Sequence, residues 1–208
     1  MRILLTGFEP FAGATVNPSE QAARCLDRQT IAGAEIRAAL LPVDAEKGPQ
    51  ALMDALHSTR PDAVICLGEA TGRAAISVER IAVNLLDFRI ADNRGSIIVD
   101  QPVISGGPAA YFVTLPARAL VDAILEAGVP AELSMTAGTF LCNQVLYHLL
   151  HHLDLAGWRI PAGFLHLPCL PEQAAKTNPR QSSMGLEVIL TGLRAAITCL
   201  VPSEPAQA

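Results

Sequence analysis

Positive charge is scarce in this chain and is gathered nowhere. Fifteen Lys and Arg stand against 20 Asp and Glu, for a formal net charge of -5. A phosphate-binding surface needs a basic patch, so a nucleic-acid partner is not expected. Long apolar runs are missing too. No stretch approaches the length of a membrane span, and the opening "MRILLTGFEPF" meets an acid after too short an apolar run for a secretory signal. Paired cysteines are also absent. Cys25, Cys66, Cys142, Cys169 and Cys199 are scattered, odd in number and without a C-x-x-C, which argues for reduced thiols over a disulfide framework. These absences together predict a cytoplasmic protein with neither a membrane nor a nucleic-acid partner.

Apolar residues make up 50% of the 208 positions and charged ones 17%, enough for one large core. The expected organisation is a single catalytic domain over residues 1–200, followed by a frayed Pro/Ala/Glu-rich tail, "VPSEPAQA", at 201–208. Strand and helix patterns alternate along it. "RILLTG" and "DAVICLG" are apolar runs ending in Gly, as buried parallel strands are. "NPSEQAARCLDR" predicts a helix capped by Asn17, with Pro18 in the first turn and Glu20 placed for a capping box. Further strands are read at "AEIRAALLP", near "AELSM" and at "AGFLHLP". Further helices are read at "DAEKGPQALMDALHSTR", "PARALVDAILEAG", from Cys142 onward, and at "SMGLEVILTGLRAAITCL". Between Ile76 and Val103 the pattern is strand-like, with a turn at "DNRG" and antiparallel excursions. The fold class is α/β: one three-layer α/β/α sandwich around a mixed, mostly parallel twisted sheet.

Ligands of such sheets bind outside the carboxyl ends of the strands, which turns attention to a few residues. In "TAGTFLCNQVLYHLL" the apolar stripe Leu141, Val145, Leu146, Leu149, Leu150 begins a helix after a Gly-containing turn. Cys142 then sits in the first turn, where unpaired N–H groups and the helix dipole lower a thiol pKa. A buried cysteine closing the stripe is the competing reading. A thiol nucleophile needs an imidazole. His166 ends the strand "AGFLHLP" at the crevice, whereas His57 ends a helix. His148, His151 and His152 share the Cys142 helix; His148 and His152 have a chelating i, i+4 spacing but no third ligand, so no metal site is assigned. An acid must orient the imidazole. Glu79, on one strand face with Ile81, Val83 and Leu85, is the candidate; an ion pair with Arg73 or Arg80 is the alternative. Phe8 and Phe11 follow the first strand and could either sandwich a flat uncharged ligand or cover the sheet end.

The stretches "TGFEPFAGATVNPS", "GRAAISVERIAVNLLDFRIADN", "GGPAAYFVTLPARAL", "TAGTFLCNQVLYHLL", "GFLHLPCLPEQ" and "SMGLEVI" resemble pyroglutamyl peptidase I, in order and across residues 1–200. The resemblance implies a cysteine exopeptidase that hydrolyses the N-terminal pyroglutamyl residue from peptides through a thioester. It implies a triad of Glu79, Cys142 and His166, and Phe8 and Phe11 flanking the lactam. Asn17 would steady the N-terminal loop, Arg89 would lie close to the reacting centre, and Glu69 and Leu141 would complete the substrate site. A cytoplasmic homotetramer without metal or organic cofactor is also implied. The chain departs from the family at Glu69, where glutamine is usual, at Phe88 and Ala91, and at Gly106. A nucleoside phosphorylase using "CLGEATGR" as a phosphate cradle and a silent lactam-binding module remain as other readings of the residues.

Overall fold

A computed structural model describes residues 1–202; residues 203–208, and with them most of the predicted tail, lie outside the described part. In chain order the elements are β1 (Arg2–Phe8), α1 (Pro18–Leu26), β2 (Thr30–Ile31), β3 (Ala34–Leu41), α2 (Lys47–Thr59), β4 (Ala63–Glu69), β5 (Ile76–Glu79) and β6 (Ile81–Val83). There follow β7 (Ala110–Phe112), α3 (Ala117–Glu126), β8 (Ala131–Ser134), α4 (Leu141–Leu155), β9 (Ala162–Leu167), α5 (Pro171–Ala174) and α6 (Leu186–Leu200). Seven strands form one sheet in the order β2-β3-β1-β4-β9-β5-β8, and β6 and β7 form a separate antiparallel pair. β3, β1, β4 and β9 run parallel; β5 runs against β9 and alongside β8. Buried side chains separate into two clusters, one under α1, α3 and α6 and the other under α2 and α4. Both sheet faces are therefore covered, which is why β4 and β9 are apolar along nearly their whole length.

Local chemistry explains the element ends. Asn17 Oδ1 accepts from the Ser19 N–H at 2.9 Å and caps α1, with Pro18 at the first position. The expected capping box is replaced: Glu20 instead accepts from Arg24 Nε at 3.0 Å, one turn on. α2 begins later than its pattern suggested, so Gly48 and Pro49 fall in the first turn, where a missing N–H costs no helical bond. The strand-like middle region does fold back, with Leu86 bridging Gln101 and a turn closed by Asp92 N–H to Ser96 O at 3.0 Å. One expectation fails there. β5 stops at Glu79 and the chain leaves the sheet at Arg80, so Glu79 shares no continuous face with Ile81, Val83 and Leu85. The short elements β2, β7 and α5 were not anticipated.

Candidate active site

Three segments meet at the carboxyl edge of β4 and β9. The first is the start of α4. Leu141 and Cys142 are its first two residues, and no side chain caps it. Its first intrahelical bond runs from Gln144 N–H to Phe140 O at 3.0 Å, so the N–H groups of Leu141, Cys142 and Asn143 have no helical acceptor. Asn143 fixes this turn in place. Its amide accepts from Val83 N–H at 2.9 Å and donates to Val83 O and Leu85 O at 2.9 and 3.0 Å.

The Cys142 thiol rests against β4. A Cβ added to Gly68 would lie 2.8 Å from Cys142 Sγ and 2.7 Å from Phe164 Cζ, so only glycine permits the approach. Gly68 pairs with His166 in the parallel register. In-register residues project to the same face, so Sγ and the His166 ring stand on one side of adjacent strands. Burial pushes the Cys142 thiol up to about 12, with the Glu79 carboxylate and Cys66 adding to the rise; Arg73 and a backbone hydrogen bond pull the other way, as the helix start was expected to.

His166 Nδ1 lies 2.7 Å from Glu79 Oε1. β5 runs antiparallel to β9, with Ser77 opposite His166, so Glu79 sits one pleat deeper on the same face and is fully buried. Arg73 Nη1 donates to the same Oε1 at 2.8 Å. Burial alone would raise the Glu79 carboxyl, but the His166 bond, with Ser134 and Arg73, holds it below its ordinary value. An ionised carboxylate can only accept, so His166 carries its proton on Nδ1 and keeps Nε2 as a base. Burial also lowers His166, against the pull of Glu79. One carboxylate oxygen of Glu79 is thus shared between His166 and Arg73. Both contacts read for Glu79 from the sequence, with His166 and with Arg73, are present.

Phe8, Phe11, Asn17, Val43, Glu69, Phe140 and Leu141 form, with Cys142, the walls of a small cavity over the thiol. Phe8 is buried at the end of β1, and Phe11 is half-buried on the loop beyond. That loop is braced from several sides. Asn17 Nδ2 donates to Glu9 O at 3.1 Å, Glu9 Oε1 accepts from Val43 N–H at 3.0 Å, and Asn93 Nδ2 donates to Pro10 O at 2.9 Å. Behind Phe11 the chain turns through Ala12 and Gly13 at φ 52 and 77, closed by Ala14 N–H to Phe11 O at 3.0 Å. A wider cleft lies beyond Phe11 and Glu69, against Cys169 and Gln173, but it contains none of Cys142, His166 and Glu79.

Glu69 pairs with Leu167 in the sheet, and its side chain leaves on the face opposite His166. Its carboxylate accepts from Thr71 Oγ1 and Gln173 Nε2, each at 2.9 Å. It does not reach Arg73, which is taken by Glu79. Arg89 is exposed and is not a wall of the cavity. It stands two residues past Asp87, whose N–H and C=O bond Thr139 just before α4 at 3.0 and 2.8 Å. Sequence reasoning missed Asn143, Gln173, Val43 and Phe140. Only Asn143 left a signal: an amide inside an apolar helical stripe that must find partners when buried. His148, His151 and His152 lie elsewhere on α4, with His151 Nδ1 2.8 Å from Tyr111 Oη; no group of three metal-ligating side chains is found among the described residues. No described helix is long and apolar enough to cross a membrane.

The family model described as pyroglutamyl peptidase matches residues 1–202. The chain is 51% identical over 200 residues to the pyrrolidone-carboxylate peptidase of Gloeobacter violaceus, across 96% of this chain and 97% of that one. It is 50% identical over 195 residues to the enzyme of the same name from Chromobacterium violaceum, across 94% and 90%. A mutant pyrrolidone carboxyl peptidase from Pyrococcus furiosus superposes with a TM-score of 0.93 at 41% identity, covering 96% of this chain and 98% of that one. Pyroglutamyl peptidase I from Bacillus amyloliquefaciens gives a TM-score of 0.93 at 39% identity, covering 96% of each.

Proposed function

This chain belongs to the pyroglutamyl peptidase family, and from that premise we propose that it is a cysteine exopeptidase removing N-terminal pyroglutamyl residues from peptides. Cys142 is the nucleophile, His166 the proton carrier and Glu79 the acid that orients it. The observation that carries the assignment is the 2.7 Å bond from His166 to a buried Glu79, beside a cysteine in the uncapped first turn of α4.

The chemistry follows from this arrangement. Sγ attacks the pyroglutamyl carbonyl carbon as its proton passes to His166 Nε2, and the carbonyl π pair moves to oxygen. That oxyanion faces the unpaired N–H groups of Leu141, Cys142 and Asn143. As the C–N bond breaks, Nε2 gives its proton to the leaving amine, and a thioester remains. Water then attacks while Nε2 accepts one of its protons. Rupture of the C–S bond releases pyroglutamate and returns the proton to sulfur. No carboxylate is needed for the substrate's N-terminus, because that amine is closed into a neutral lactam. The apolar walls Phe8, Phe11, Val43, Phe140 and Leu141 suit it. Asn17 and Glu69 hold the loop and rim, and Arg89 acts from the loop tied to Thr139. No metal or organic cofactor takes part.

Cytoplasmic location and homotetrameric assembly belong to the same proposal. The exposed Phe112, Leu155, Met135, Ile97 and Val99 support the second as apolar surface available for burial between copies. The test is turnover of a fluorogenic pyroglutamyl amide. Wild-type protein should release the fluorophore and folded Cys142→Ala should not; an active Cys142→Ala would sink the proposal.

A further inference from the structure

Glu79 is the most deeply placed charge in the site, and its hydrogen bonding is lopsided. Oε1 receives both His166 Nδ1 at 2.7 Å and Arg73 Nη1 at 2.8 Å, while Oε2 is buried and makes no direct hydrogen bond among the described residues, having only the polar influence of Ser134, which pairs with Glu79 in the sheet. A carboxylate with a whole oxygen unsatisfied is costly to keep ionised unless a fixed cation stands beside it. At rest His166 is not that cation, since a buried neutral imidazole is the form the site favours. Arg73 is. It is itself only partly exposed, its second amino group reaches Thr136 O at 3.4 Å, and its N–H bonds Ala70 O at 3.2 Å, which folds the turn after β4 over the end of β5.

We propose that Arg73 is a positioning residue of the proton relay: it shares Glu79 Oε1 with His166, holds the carboxylate ionised at rest, and keeps it from binding the imidazolium too strongly. The proposal rests on the reading of Cys142, His166 and Glu79 given above. During attack His166 gains a proton in a site where it is almost fully buried. Glu79 must then stabilise the cation, yet not so well that Nε2 fails to surrender the proton to the leaving amine. A guanidinium on the same oxygen sets that balance, because each donor weakens what the oxygen offers the other.

The surrounding charges leave Arg73 without a substitute. The charged groups acting on His166 are Glu79 on β5 and Arg73 itself, with Cys142 of α4 on the same face of the sheet. Glu132 of β8 accepts from Ser77 Oγ at 2.8 Å. Glu69 is bound to Thr71 and Gln173 on the other face. Arg80, next to Glu79 in sequence, lies with Val113, Pro116 and Arg118.

The experiment compares Arg73→Met and Arg73→Lys with wild type in full pH profiles of kcat/KM. Removing the guanidinium leaves Glu79 to His166 alone, so the acid limb should rise by roughly one pH unit, with kcat falling about tenfold or more and KM little changed. Arg73→Lys keeps a point charge without the fork and should raise the limb by less, with an intermediate kcat. In the inactive Cys142→Ala background, the NMR titration of His166 should move upward in the same direction on adding Arg73→Lys or Arg73→Met, by more for Met. That measurement needs no turnover and covers the case in which Arg73→Met is too unstable to assay. An unchanged limb and an unchanged His166 titration would overturn the positioning role while leaving the peptidase reading intact. A wild-type protein without pyroglutamyl hydrolysis would overturn that reading instead.

Discussion

On the face of the sheet under α1, α3 and α6, strands β1, β4 and β9 present Ile3, Leu5, Ile65, Leu67, Leu165 and Leu167. On the face under α2 and α4 the same strands present Leu4, Thr6, Val64, Cys66, Gly68, Phe164 and His166. The two sets are one residue out of step. The strand side chains of the first set are all apolar. The second gains Ser77 and Glu79 from β5 and Asn143 and Gln144 from α4, all buried. The side chains with a buried polar atom lacking any partner among the described residues, Thr6, Glu79 and Gln144, are all on this second side. Each such atom costs about 1–3 kcal/mol. One face thus holds the fold together and the other spends part of that stability on chemistry.

The largest expected effect falls on the polar face. His166→Ala should lower kcat by about four orders of magnitude or more, close to the loss in Cys142→Ala, because nucleophile and base act as a unit. Glu79→Gln should be milder, since the bond to Nδ1 survives and only the charge behind the imidazolium is lost. Stopped assays on the purified variants give this order directly. Finding Glu79→Gln worse than His166→Ala would reverse the roles.

The dry face should give the opposite pattern. Leu165→Ala removes a fully buried side chain one residue before His166, and should cost about 2–5 kcal/mol of stability in denaturant titration. Its kcat/KM at temperatures where it stays folded should remain within a few-fold of wild type. A large kinetic loss there would show that the two faces are not separable.

Gly68→Ala puts a methyl group on the polar face at the point of closest approach. The new Cβ would stand 2.8 Å from Cys142 Sγ and 2.7 Å from Phe164 Cζ, and none of these can move far. A thiol displaced by a fraction of an ångström should cost about 10–100-fold in kcat, with a smaller loss of stability. This glycine also shows where the sequence was readable. "AVICLG" announces a buried strand ending at the edge, but the reason its last residue must be glycine is α4, which joins it only in three dimensions. Asn17, Cys142 and His166 were legible because each sits at an element end that local pattern predicts. Glu79 was reached by a strand face that does not exist: β5 breaks at Arg80, and the reversal of β5 against β9 is what carries the carboxylate beneath the histidine. Gln173, Val43 and Phe140 come from a short helix and loops, whose positions are set by tertiary bonds such as Gln173 to Glu69 rather than by any local periodicity.

Titration should separate the faces again. His166 and Glu79 have values held below their ordinary 6.5 and 4.5. Their contribution to stability is therefore complete above pH 6.5 and is lost as pH falls through the lower folded values, because the unfolded chain binds those protons first. Cys142 has the opposite sign. Raised from 9.0 to about 12, it contributes fully below pH 9 and loses that contribution as pH rises toward 12. The kcat/KM profile should accordingly show its acid limb below pH 6.5. At neutral pH the ultraviolet thiolate absorbance of wild type should match that of Cys142→Ala. A thiolate signal at pH 7 that disappears in Cys142→Ala would mean that the helix start overcomes burial.

The smallest effect is expected at Glu69, on the wall of the cavity. A carboxylate facing the thiol would repel the developing oxyanion and weaken attack. Pairing of Glu69 with Leu167 instead sends its side chain to the dry-face side, where Thr71 Oγ1 and Gln173 Nε2 hold its two oxygens at 2.9 Å. A glutamine there could keep the bond from Thr71 through its oxygen but would meet the Gln173 amide with another donor, so one of the two side chains must turn. The cost is a hydrogen bond between the rim and α5, not a charge at the reacting carbon. Glu69→Gln should change kcat/KM by less than about tenfold, or 1.4 kcal/mol, with any loss appearing in KM as the loop that carries Phe11 loosens. The acid limb should stay where it is. If Glu69→Gln instead speeds turnover a hundredfold (about 2.7 kcal/mol) and shifts that limb by a full unit, the carboxylate acts on the polar face, and the partition between the two faces fails at this residue.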